Sequence, residues 1–304
     1  MKMRLNPIVK KDLQVTVRSM RMSWGLFAYE AALTIAFLLA LAFIQDAASY
    51  SYSDNIYSYL IYLFPVVAVT QVCIVALAVP IITASSISGE KERQTFDIML
   101  TTCMSPFAIV FGKVISAVLR ILFFVIASTP IMALSFVVGG LSWSYLVYYL
   151  LAVILFSVFA GSIGIFASSF CRKSVAALLL SFVMYFVIFA LTFVPLIYRA
   201  MMYSYSEDYY GESMLLLLWN PVVFFEEFFM HIMVGESIIS EAGTYFDRND
   251  VGLLTYTLAR GKVWMFTSAG CILLLSFLFM VLAAWRVNPM HAGSGRRRNK
   301  KKAE

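Results

Sequence analysis

Six long apolar runs, near residues 24–45, 58–87, 107–138, 143–169, 174–198 and 263–285, dominate this sequence. Each is long enough, as a helix rising about 1.5 Å per residue, to cross a hydrocarbon core about 30 Å thick. With 62% hydrophobic residues and a mean hydropathy of +0.85, the chain carries more apolar surface than a soluble domain can bury. The expected fold is an all-α polytopic membrane protein with about six transmembrane helices over residues 24–285. The second and third runs exceed the need and are expected to tilt or to extend into the aqueous phase.

The charges orient those spans. Lys2, Arg4, Lys10, Lys11, Arg18 and Arg21 precede the first run, and Arg172-Lys173 follow the fourth. Arg286 and the stretch Arg296–Lys302 follow the sixth, whereas loops 46–57 and 139–142 hold no Lys or Arg. By the positive-inside rule both termini are expected in the cytosol, in a plasma membrane. The first run lacks the short core and small-residue cleavage site of a signal peptide, so it reads as an uncleaved anchor. The basic tail 286–304 reads as a contact with anionic lipid rather than with nucleic acid. Four scattered cysteines, Cys73, Cys103, Cys171 and Cys271, show neither disulfide nor zinc spacing.

The one compact charged stretch between spans is Ser88–Lys113. Phe96, Met99, Leu100 and Cys103 recur at helical spacing, with Arg93, Asp97 and Thr101 on another face. That pattern suits a short helix lying along a membrane surface, over residues 88–105. Ser105-Pro106 then supplies an N-cap and a first-turn proline for the next span. A polar face pinned between two spans is suited to receive force from a soluble partner, and it equally fits an ordinary interfacial helix.

The order Glu90-Lys-Glu92-Arg93-Gln-Thr95-Phe96-Asp97-Ile-Met-Leu100-Thr-Thr102, followed by Ser105-Pro106 and Gly112-Lys113, resembles the permease subunits of ABC transporters of the type-2, mainly exporting, class. Three positions depart from that pattern: Gln94 stands where Gly is common, Asp97 replaces the more usual Glu, and Cys103 stands where Pro is often found. The resemblance implies a cytosolic coupling helix docking on a separate ATP-binding subunit through Glu90, Glu92, Arg93, Thr95, Phe96, Asp97 and Leu100. It also implies a second permease subunit, identical or homologous, around a shared substrate conduit, and a bacterial membrane. ATP and Mg would sit on the partner, with no cofactor on this chain.

Several further features are organisational. Asn6-Pro7 opens an amphipathic stretch over residues 1–23, with Val9, Leu13, Val17, Met20 and Trp24 on one face. Its Asn-Pro-x-x-Lys-Lys-Asp pattern resembles the same family's elbow helix; a frayed positive flank is the other reading. Pro130 marks a kink and Gly139-Gly140 a tight turn. Ala160, Gly164 and Ser168 fall four apart, spacing that lets two helices approach closely, within one subunit or at a subunit seam. Loop 199–262 is long, acidic and external, and holds Asn220-Pro221 opening a short apolar helix that caps the outer mouth.

The chemistry of an enzyme is missing from the sequence. Neither Gly112-Lys113 nor Gly261-Lys262 has the glycine or hydroxyl residue of a phosphate loop, and no HExxH or nucleophile elbow is present. Energy is expected from another polypeptide or from an ion gradient, which leaves an ion-coupled secondary transporter or channel as the alternative. Glu30 and Arg120 are the ionisable residues clearly inside spans. Counted from Trp24 and Lys113, their depths match, and a charge inside the membrane is costly. The spacing therefore suggests a Glu30–Arg120 pair, with Arg120 snorkelling to the headgroups as the competing outcome.

Overall fold

The computed structural model describes residues 19–50, 59–96, 105–195, 197–198, 211–233, 235 and 263–288. Regular structure among them is all helical: α1 (Met20–Tyr50), α2 (Leu63–Glu92), α3 (Pro106–Ala127), α4 (Thr129–Gly139), α5 (Trp143–Phe170), α6 (Ser174–Leu191), a 3₁₀ helix (Gly211–Trp219), α7 (Pro221–Met233) and α8 (Val263–Val287). Six of them, α1, α2, α3, α5, α6 and α8, are long and apolar enough to cross a membrane. The proposed elbow before residue 19, Asp97, Leu100 and the rest of 97–104, most of loop 199–262 and the tail past residue 288 lie outside the described residues.

The chain forms two compact units, one of residues 1–182 with 276–304, the other of 183–275. In the first, α2 is the central element, packing most extensively on α5 and also on α1, α3 and α4. The reason is the small-residue face of α5. Ala160 and Ser168 are fully buried, and a Cβ built on Gly164 would fall 1.8 Å from Thr83 Oγ1 and 2.8 Å from Thr83 Cβ. Only a residue without a side chain fits there. The Ala160–Gly164–Ser168 stripe thus seats α5 on α2 within this subunit.

A buried polar knot fixes four elements to one another. Gln71 of α2 donates to Tyr29 of α1 at 2.8 Å and to Ser128 at 3.2 Å, and Tyr149 of α5 donates to Gln71 Oε1 at 3.0 Å. Ser128 is the break between α3 and α4, which divides the expected 107–138 span where Pro130 removes an amide donor. The knot is mutually satisfied, so burying it in an apolar interior is tolerable.

α4 ends at Gly140 (φ +66°) with a paired closure: Leu141 N donates to Phe136 O at 3.2 Å, and Gly140 N to Val137 O at 3.3 Å. The reversal into α5 follows at once, as the Gly139-Gly140 pair implies.

In the second unit, Asn220 caps α7 by accepting from Val222 N at 2.9 Å. Its amide also donates to Thr192 Oγ1 at 2.8 Å. Ser268 of α8 donates to Leu218 O at 2.9 Å, tying the 3₁₀ helix to α8. Within α7, Phe224, Phe225, Phe228 and Phe229 are all buried.

Candidate functional site

The charged segment begins inside a span rather than after it. α2 runs past its apolar stretch through Ser88 to Glu92, so the first five residues of the expected 88–105 helix are the last turn and more of α2. The physical reason is that each charge in this turn meets a partner at the basal end, where α2 and α5 finish and α3 and α6 begin. Glu90 Oε1 accepts from Lys113 Nζ of α3 at 2.7 Å, an ion pair whose side chains are 27% and 8% exposed. Lys91 Nζ donates to the Ser169 carbonyl and, at 3.4 Å, to the Cys171 carbonyl, acceptors at the end of α5 that the helix itself supplies with no donor. Glu92 takes Ser174 N at 3.0 Å and Ser174 Oγ at 2.8 Å, placing a carboxylate at the positive end of α6. Three consecutive side chains therefore bind three different helices.

One hydroxyl reinforces the same junction. Ser168 Oγ of α5 accepts from the amides of Ile87 (3.0 Å) and Ser88 (2.8 Å) and donates to Ala84 O at 2.7 Å. Beneath it, Ile87, Val110, Val114 and Ile165 pack with Met280, Ala283, Ala284 and Val287 of α8. Phe96 rests partly buried against that cluster, with Lys91 Nζ 5.6 Å from its ring centre.

α2 stops at Gln94, which adopts φ +58°. Thr95 N donates to Glu90 O at 3.0 Å and Gln94 N to Lys91 O at 3.2 Å, the same pair of closures that ends α4. The position where the resemblance has Gly is thus the position whose backbone is left-handed. On either side of this stop, Arg93 and Thr95 are exposed.

The expected site residues accordingly separate. Glu90 and Glu92 are engaged within the chain, Phe96 leans on the core, and Arg93 and Thr95 face outward. Lys91, Lys113 and Ser174, which sequence reasoning did not assign, complete the junction. For Lys113 a signal existed: a cation two turns into an apolar helix requires an anion nearby.

Glu30 and Arg120 do not meet. Glu30 Oε1 is buried and has no hydrogen-bond partner. Tyr29 OH meets Ser128 Oγ 99 positions away, and the same offset brings Gly25 against Phe124. At that register Arg120 stands nine positions below Glu30, about 13 Å along the axis. Counting depth from the helix starts assumed that α1 and α3 begin level, and they do not. Arg120 instead lines an open basal cleft of about 500 Å³ with Ser85, Ser86, Glu90, Arg93 and Lys113.

No curated protein matches the chain. Residues 6–289 match the family described as ABC-2 family transporter protein. With six membrane-length apolar helices and a charged junction at one end, the chain belongs to that family and is a membrane-spanning permease of an ABC transporter.

Proposed function

We propose that the chain is the conduit-forming subunit of an ATP-driven exporter, in a bacterial plasma membrane, with both termini and the basal end in the cytosol. A separate ATP-binding subunit, which carries ATP and Mg, docks on the segment after α2, and a second permease subunit completes the conduit. The observation that supports coupling here is the junction of Glu90, Lys91 and Glu92 with α3, α5 and α6. A load applied just beyond Glu92 reaches four helices at once, without passing through a flexible linker. On this reading Arg93, Thr95 and Asp97 make the polar contacts, Phe96 and Leu100 seat the segment, and Glu90 and Glu92 transmit. Membership of the permease family favours this reading over the ion-coupled carrier or channel.

The test is reconstitution with and without the partner ATPase. The isolated chain should hydrolyse no ATP, and the complex should transport. Glu90→Gln or Lys113→Met should lower transport per ATP hydrolysed several-fold while crosslinks from Arg93 to the ATPase persist, because the ion pair that ties the last turn of α2 to α3 is lost, at about 1–3 kcal/mol. Hydrolysis by the isolated chain, or ATPase crosslinks that come only from the basic tail, would refute the assignment.

A further inference from the structure

We infer that the exposed side of α1 carries a binding site for a hydrophobic organic cation, with the Glu30 carboxylate matching its charge and the Phe27 ring lying against it. Glu30, Asp46, Glu90 and Glu92 are the acids of the six membrane-length helices. Asp46 is the last residue of its span, and Glu90 and Glu92 are engaged at the basal end. Glu30 instead stands about 12 Å beyond Met22, where the same span begins. A carboxylate at that depth is costly unless a cation meets it. The chain offers none. α1 packs on α2, α3 and α4, whose cations are Lys91, Lys113 and Arg120. Lys91 is turned to the Ser169 and Cys171 carbonyls and Lys113 to Glu90, while Arg120 stands about 13 Å nearer the basal end. The neutral donors beside Glu30 are engaged as well. Tyr29 OH belongs to the knot with Gln71 and Ser128, and Thr34 Oγ1 donates to the backbone carbonyl of Glu30 at 2.8 Å. Glu30 Oε1 is therefore left buried without a donor.

The neighbours on α1 narrow the class of cation. Phe27 and Glu30 lie one turn apart on the same side of the helix, and Trp24 meets Phe27 edge-on, at 6.1 Å and 86°. Both rings are exposed, and Ile35 and Leu38 continue the exposed apolar surface along the helix. An aromatic face beside a carboxylate suits an ammonium or phosphonium group, and the apolar surface suits the body that carries it. A metal ion would need several oxygen ligands, and among the described residues no three of His, Cys, Asp and Glu stand together to hold one. The site does not depend on where the ATP-binding subunit docks.

The experiment uses the full chain in phosphatidylcholine vesicles, without the ATP-binding subunit, and two photoactivatable probes. They share one diazirine-bearing alkyl chain, ended by trimethylammonium in the first and by sulfonate in the second. The ammonium probe should label the peptide spanning residues 22–38 about tenfold above the sulfonate probe. Glu30→Gln should erase that excess and Glu30→Asp should keep part of it. Phe27→Leu should lower it about two- to fivefold, and Thr34→Val should leave it in place. Should Glu30→Gln fail to fold, Phe27→Leu decides alone, because that ring is exposed and its loss opens no cavity. Equal labelling by the two probes would mean that the carboxyl holds a proton, and would overturn the site. An excess that survives Glu30→Gln would overturn it too, by making the label a property of the greasy surface. So would an excess present in detergent-separated monomers and absent from assembled permease pairs, which would make Glu30 a contact with the second subunit.

Discussion

At the scale of single residues, two helix ends use one closure and differ in what fills it. α4 closes with Gly140 at φ +66° and α2 with Gln94 at φ +58°, on the same pair of backbone hydrogen bonds. A side chain in the left-handed region crowds its own backbone by about 1–2 kcal/mol, and glycine escapes that penalty at some entropic loss. Gln94→Gly should therefore stabilise the purified chain by about 0.5–1 kcal/mol, read as a higher midpoint of thermal unfolding in detergent. Gly140→Ala approaches the same question from the other side. No atom lies within 4 Å of its added Cβ, so any fall in that midpoint reports the backbone alone. An unchanged midpoint in both variants would mean that the left-handed turns are unstrained. The departure at Gln94 was visible in the sequence, but its meaning was not, since backbone sign at one position leaves no periodic trace. The Glu90–Lys113 pair was hidden for a similar reason: two residues on different helices, 23 positions apart, share no pattern.

At the scale of elements, the number of spans, the kink near Pro130 and the turn at Gly140 were all legible, because hydrophobic length and the special geometry of proline and glycine act locally. Helix ends and helix register were not. The end of α2 shifted to Glu92 because three tertiary partners neutralise its last turn, and the Glu30–Arg120 pairing failed because register is set by packing, through Gly25 on Phe124. The α2–α5 contact is the tightest such feature. Gly164→Ala should destabilise the fold by about 1–3 kcal/mol, as overpacking does, and lower the yield of monodisperse protein. Gly161→Ala should be mild by comparison, since its added Cβ would meet nothing closer than 3.7 Å. Thr83→Ala should rescue Gly164→Ala only in part, because Thr83 Cβ itself would lie 2.8 Å from the new methyl, whereas Thr83→Gly should rescue it further. Full rescue by Thr83→Ala, or no loss in Gly164→Ala, would show that the two helices slide apart readily.

At the scale of the whole molecule, the orientation drawn from the charge distribution can be measured at a residue whose position is known. Cys171 lies in the short connection between α5 and α6, partly exposed and free. In a variant that keeps Cys171 as its single cysteine, a membrane-impermeant maleimide should label inside-out vesicles and spare right-side-out cells. Labelling of intact cells would reverse the topology and place the junction outside. That junction also carries a consequence for how the protein is made. Glu92 is held by Ser174, Ile87 by Ser168 and Lys91 by Cys171, each of them some eighty positions later in the chain. At a synthesis rate of about 5–20 residues per second, roughly 4–16 s separate the emergence of the two halves. During that interval the last turn of α2 has charges and no holders, while the polar knot around Gln71 also awaits Tyr149. The junction is therefore finished only after α5 has been inserted and α6 has begun, so on the proposed coupling reading a nascent chain stalled before that point would offer an ATP-binding subunit no completed surface to engage.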